Sequence, residues 1–266
     1  MSQDALEYLR GIGEAGEGPH DIARVALMLS SLDHPGKALE PFQAHLHEIT
    51  EAMQAGRGLI RRVADGAQLL SSLFVDRFGY EGDRLTYDDP KNADLMAVIE
   101  RRRGLPVALG VLYIHAARAG GMQASGLNTQ GHFVLRIAHR HDDVTVDPFN
   151  NGVVLGAGNL PAVLRDAAIA ESVSDIDVLL RLTNNLKVRA IDARNYERAL
   201  DLTRRMVLIA PRRPEVWLDF GRVNEAVGVL GAARKAYETC LQLVAAGETL
   251  HNEAVLSLAN LKRRLN

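Results

Sequence analysis

The last third of the chain is periodic, and the period limits what it can fold into. Ala199 and Ala233 stand 34 residues apart, as do Val207 and Leu241, and Ile209 and Leu243. A unit of this length, apolar at helical spacing, cannot bury its apolar face alone and needs a stacked neighbour. From about residue 173 onward the expectation is therefore all-α: antiparallel helix pairs, closed by "HNEAVLSLANLKRRLN" as a capping helix with a polar outer face.

A 34-residue helical pair is the length of the tetratricopeptide (TPR) unit. Trp217, Gly221, Ala233 and Tyr237 fall at the signature offsets of that repeat. In the preceding unit Leu186, Ala199 and Pro211 agree. Stacked pairs of this kind leave a concave groove suited to peptides or other proteins, so a protein or peptide partner is expected there.

The first 85 residues read as helical. "DIARVALMLSSL" places Ile22, Val25, Ala26, Met28 and Leu29 at helical spacing, with Asp21 as N-cap and His34-Pro35-Gly36 as a stop. "LEPFQAHLHEITEAMQAG" gives a second helix ending at Gly56, and "GLIRRVADGAQLLSSLFVDRFGY" a third.

Residues 86–172 are mixed. "YDDPKNADLMAVIERRRG" reads as a turn and a short helix. Asp88, Asp89 and Asn92 are candidates to cap it or line a cleft. The next helix starts at Pro106, where a first turn tolerates proline, and ends at Gly120-Gly121. Then "GHFVLRIAHRHDDVTVDPFN" gives two short alternations around a charged turn. Pairing Phe133 with Val146 and Leu135 with Val144 joins their apolar faces. That register sets Arg136 opposite Asp143 and His132 opposite Asp147. The turn holds no Gly, so a wider loop than a tight primed turn is expected. An Asp beside a His can hold the imidazole in one tautomer and serve a nucleophile, or it can simply brace the sheet.

Charge and cysteine content narrow the function. Lys+Arg number 31 against Asp+Glu 33, for a net charge of -2, which gives no electrostatic footprint for nucleic acid or an anionic membrane. No apolar run reaches the roughly 20 residues of a membrane helix. The polar start "MSQDALEYLRGIGEAGEG" is unlike a signal peptide. A single cysteine, Cys240, fits a reducing compartment, and a cytoplasmic protein is expected. No cofactor is implied. The cluster His139, His141, Asp142 and Asp143 has an arginine in its midst, and no metal site is expected from it.

"LTYDDPKNADLMAVIERRRGLPVALGVLYIHAARAGGM", "GHFVLRI" and "DPFNNGVVL" precede the repeats in that order. In this arrangement the chain resembles the SirB-one family, whose members carry a transglutaminase-like core followed by TPR repeats. "ALMLSSLDHPGKALEPFQAHLHEI" is similar to that family's helical N-terminus. The resemblance implies an α+β fold: a papain/transglutaminase-like core with a small antiparallel sheet over residues 86–172, the helical part of that core in 1–85, and TPR-like helices over 173–266. The wider superfamily is similar to papain-like thiol enzymes, with a Cys at a helix start followed by His and Asp on adjacent strands. This implies His132 and Asp147 for the last two. The Gly-x-Cys step corresponds to Gly104-Leu105-Pro106, so Pro106 stands where the thiol is expected.

A thiolate is the nucleophile of that chemistry, and proline offers none. Two readings follow. The leading one is a non-catalytic protein- or peptide-binding adaptor built on a degenerate cleft, with Asp89, Asn92 and Pro106 lining it. The other is a hydrolase or acyl transferase that uses His132 and Asp147 with a non-cysteine nucleophile, for which Ser125 and Thr129 are the nearest hydroxyls in sequence.

Overall fold

The computed structural model describes residues 2–127, 129, 132–156 and 171–265. The chain divides into two compact units. Met1–Ala5 and Glu17–Leu182 form the first, and Leu6–Gly16 and Thr183–Asn266 form the second. Residues on both sides of position 85 belong to the first unit.

The first unit is built around one helix. Helix α1 (Ser2–Ala15) lies mostly in the second unit; in the first, α2 (Ile22–Ser31), α3 (Glu40–Gly56), α4 (Val63–Ser72) and α5 (Leu95–Arg101) precede the central helix, α6 (Pro106–Ala119). Positions 106–114, 116 and 117 of α6 are all buried, so the helix is apolar all round, as a central helix must be. It packs against α2 and α3 on the helical side. Local chemistry sets the helix starts. The Asp21 carboxylate accepts the Arg24 N–H at 3.2 Å and caps α2. Asp65 accepts the backbone N–H groups of Arg61 and Arg62 and holds the entry to α4. Asp94, rather than Asn92, caps α5 through the Ala97 N–H at 3.2 Å.

The other face of α6 meets an antiparallel sheet. Its strands are β3 (Gln123–Leu127), β4 (Leu135–His139), β5 (Asp142–Asp147), β6 (Val153–Leu155) and β7 (Ser172–Val173), in spatial order β6-β5-β4-β3-β7. A separate two-residue parallel pair, β1 (Glu81–Gly82) with β2 (Arg103–Gly104), sits just ahead of Pro106.

The β4/β5 register differs by two residues from the sequence expectation. Leu135 faces Val146 and Ile137 faces Val144; Phe133 and His132 lie ahead of the strand. The cause is the loop. Only Arg140 and His141 separate the paired His139 and Asp142, and Arg140 supplies the tight turn by adopting φ 59° without being glycine. A two-residue slide preserves the faces, so Leu135, Ile137 and Val146 are all fully buried as the alternation requires. Arg136 now faces Thr145 and reaches Asp143 diagonally, at 3.5 Å.

The second unit follows the 34-residue period. After the C-terminal turns of α7 (Asp175–Asp192) come α8 (Tyr196–Ile209), α9 (Pro214–Ala226), α10 (Leu230–Leu243) and α11 (Thr249–Leu265). Successive helices from α8 to α11 pack on one another. Ala199 and Ala233, the repeat-related alanines, are both fully buried, each in its own apolar cluster. Gly221 lets α9 and α10 approach: a Cβ there would stand 2.3 Å from the Tyr237 ring. Trp217 donates its indole N–H to the Pro211 carbonyl at 2.8 Å. Cys240 is buried in the same cluster as Tyr237.

Helix α1 falls within the stretch expected to be helical, although its own bounds are not legible in the sequence. Gly11 and Gly13 lower its intrinsic propensity. Packing explains Gly13, because a Cβ there would lie 2.2 Å from the Leu208 carbonyl oxygen.

Candidate functional site

The site gathers at the end of β5, where the chain turns through Pro148–Asn150. Asp147 is the last residue of β5 and caps that turn. Its Oδ1 accepts the N–H groups of Phe149 at 3.0 Å and Asn150 at 3.1 Å. Its Oδ2 accepts the Asn150 side-chain amide at 2.6 Å and His132 Nε2 at 2.9 Å. Asp147 is 1% exposed and His132 23% exposed. Burial pushes the Asp147 carboxyl up, but the hydrogen bonds from His132 and Asn150 outweigh it and hold the group below its ordinary value of 3.8. An ionised carboxylate only accepts, so Nε2 carries the imidazole proton and Nδ1 is the nitrogen left to act as a base.

His132 is fixed from behind. Its carbonyl oxygen accepts the Arg181 guanidinium of α7 at 3.2 Å, and that guanidinium lies 5.3 Å from the centre of the Phe133 ring. Phe133 closes onto α6, where Gly110 makes room: a Cβ there would be 2.3 Å from the ring. Tyr113 on α6 stacks on Phe74 with ring centres 4.2 Å apart. Burial, with the nearby charge of Asp147, raises the Tyr113 phenol above its usual range.

The other candidates are placed as follows. Pro106 is the buried first residue of α6. The preceding Leu105 is extended and donates its N–H to the Asn92 carbonyl at 2.8 Å. Asn92 is fully buried. Its amide N–H bonds the Thr86 carbonyl at 2.5 Å, and its side-chain oxygen accepts Arg101 at 2.9 Å. Arg101 also reaches Asp83 at 2.8 Å. Asn92 therefore supports the start of α6 from inside. Asp89 is partly exposed and caps the short turn at Pro90 through the Lys91 N–H. Asp88 is exposed.

Neither hydroxyl near the histidine in sequence is directed at the imidazole. Thr129 donates to the His132 carbonyl, and Ser125 donates to Ser172 at 3.0 Å. The arginine run is also engaged: Arg101 as above, Arg102 with Tyr80 at 2.6 Å, and Arg103 with Glu81 at 2.6 Å. Among the described residues, no group of three or more His, Cys, Asp and Glu side chains is arranged to hold a metal ion. No described helix is long and apolar enough to cross a membrane.

Sequence reasoning missed Asn150, Arg181 and Gly110. Asn150 carried a signal, because an Asp-Pro-x-Asn run favours a turn in which the first side chain caps the third N–H. Arg181 lies 49 residues from His132 in the chain, and no local pattern links them.

The profile described as "Transglutaminase-like superfamily" matches residues 39–190, and one described as "Tetratricopeptide repeat" matches residues 186–255. The chain is similar to a "UPF0162 protein" of Xylella fastidiosa, 31% identical over 179 residues that cover 63% of this chain and 64% of that protein. A "UPF0162 protein" of Vibrio cholerae is 28% identical over 137 residues, half of each chain. "F-box only protein 21" of Mus musculus is 28% identical over 81 residues, 30% of this chain and 13% of that protein. The matched region thus spans less than two thirds of the length of each of these relatives.

Proposed function

Because this chain belongs to the transglutaminase-like superfamily and carries a tetratricopeptide repeat, we propose that it is a non-catalytic adaptor that binds a protein or peptide. The observation that carries the reading is Pro106 at the first position of α6, where the resemblance to the wider transglutaminase-like superfamily implies a thiol. The one cysteine, Cys240, is buried in the apolar cluster of the second unit, and burial pushes its thiol up, away from the reactive thiolate. In this reading His132 and Asp147 form a polar recognition pair, Asp89 and Pro106 lie along the cleft, and the TPR-like groove takes the partner. A reducing compartment such as the cytoplasm suits it.

A second reading has its own support, which is the His132–Asp147 geometry. Nε2 is held by an ionised acid and Nδ1 is available, as a general base requires. With Ser125 and Thr129 bonded elsewhere, the nucleophile would be water. Its proton would pass to Nδ1 as its oxygen adds to an acyl carbon, and Nδ1 would return that proton to the departing amine or alcohol as the amide or ester bond breaks, leaving a carboxylic acid.

Crosslinking capture from a native extract, analysed by mass spectrometry, separates the two when the full chain and full-length His132→Ala are run in parallel. An adaptor captures the same unmodified partner with both, the variant at most modestly weaker. A partner cleaved, deamidated or deacylated only by the unaltered chain refutes the adaptor reading and establishes the second.

A further inference from the structure

A cavity of about 300 Å³ in the first unit is bounded by Arg84, Leu85, Arg103 and Phe149. Its charges are uneven. Asp83 is taken by Arg101 at 2.8 Å, and Glu81 by Arg103 at 2.6 Å. Arg84 has no carboxylate within ion-pair distance among the described residues. Its guanidinium lies over the Phe149 ring, 5.2 Å from the centre, and bonds the neutral side-chain oxygen of Asn150. The local excess charge is therefore that of Arg84. A guanidinium laid on an aromatic face keeps its remaining N–H groups in a rigid plane, which suits the two oxygens of a carboxylate.

Arg84 is also the outer end of a hydrogen-bonded chain. Arg84 donates to Asn150 Oδ1, Asn150 Nδ2 donates to Asp147 Oδ2 at 2.6 Å, and the same oxygen takes His132 Nε2 at 2.9 Å. We propose that the cavity binds a carboxylate-bearing ligand through Arg84, and that its occupancy is transmitted through Asn150 and Asp147 to His132. The direction follows from polarisation along the chain. A cation on Oδ1 strengthens the Asn150 N–H as a donor. A ligand that draws Arg84 away weakens that donation, and Asp147 Oδ2 then bonds His132 more strongly.

A peptide C-terminus and a small free acid share this chemistry; the inference rests on the peptide-binding reading only for the first source. The test is an NMR titration of the full, nitrogen-labelled chain, following the His132 Nε2–H and the Arg84 side chain. The probes are N-acetyl-alanyl-alanine, its C-terminal amide, and acetate.

The free-acid dipeptide is expected to saturate the Arg84 signals and move the His132 Nε2–H downfield, while the amide leaves both unchanged. Arg84→Gln, at an exposed position, should weaken binding by about tenfold or more. Asn150→Ala should still bind, without moving the His132 signal. Acetate matching the dipeptide supports the proposal with a small acid as its source; the dipeptide binding much more tightly supports it with a peptide terminus. Equal binding of acid and amide, or undiminished binding by Arg84→Gln, overturns the site. Saturation with a stationary His132 signal overturns the transmission. A partner captured without any Arg84-dependent carboxylate binding overturns this inference alone and leaves the adaptor reading in place.

Discussion

His132 and Asp147 meet side chain to side chain although they are not partners in the sheet. Asp147 faces Val153 across β5/β6, and His132 lies ahead of β4. The 2.9 Å bond between them is made from outside the strand pairing. It depends on where the Arg181 and Phe133 contacts hold the segment, and on the turn that aims Asp147.

Asp147→Asn tests that arrangement. Whichever way the new amide turns, its NH2 meets donors, either the Phe149 and Asn150 backbone N–H groups now on Oδ1 or the Asn150 amide and His132 Nε2–H now on Oδ2. Leaving buried donors without an acceptor costs about 1–3 kcal/mol. Urea unfolding at neutral pH should show a loss of that order, with a smaller loss for His132→Ala, whose side chain is partly exposed.

Acid should weaken the first unit through two carboxylates. Hydrogen bonds from Thr86 and then Arg101 bring the Asp83 carboxyl down to about 2. The Asp147 carboxyl is also held below 3.8. A depressed folded value means the unfolded chain binds the proton more readily. The stabilisation is thus complete above the unfolded value near 3.8 and is lost as pH falls toward about 2 for Asp83. Melting temperature against pH should fall in that window, and Asp83→Asn should flatten the curve there. An unchanged slope in the variant counts against this assignment.

Gly110→Ala should damage the site without touching a polar group. The added Cβ meets the buried Phe133 ring at 2.3 Å, and overpacking of this kind costs about 1–3 kcal/mol. Because Phe133 adjoins His132, the variant should also shift the His132 ring resonances. A silent spectrum would mean that the ring moves freely.

Cys240 should resist alkylation by iodoacetamide in the folded protein and react once urea is added. Burial both shields the thiol and raises its pKa. Prompt modification of the native chain would contradict its place in the cluster.

The legible parts of the fold were those written in short-range chemistry. Pro106 and Asp21 announced helix starts because a proline and a short acid each satisfy a first turn in a known way. The repeat was visible because Gly221, Ala233 and Tyr237 sit where helices must approach closely. Register was not legible. It turned on Arg140 taking a left-handed conformation that sequence statistics assign to glycine or asparagine. The support of the site was hidden for another reason: Arg84 and Asn150 are 66 residues apart, and only the folded backbone brings them together.

Asp147 also holds the backbone N–H groups of Phe149 and Asn150 on Oδ1 and the Asn150 amide on Oδ2, bonds in which its histidine takes no part. The acid is the frame and the imidazole the insert. Remove the insert, as in His132→Ala, and the frame should stay standing as an anionic socket. A loose imidazole added to the buffer would then find a vacancy already shaped and charged to receive it.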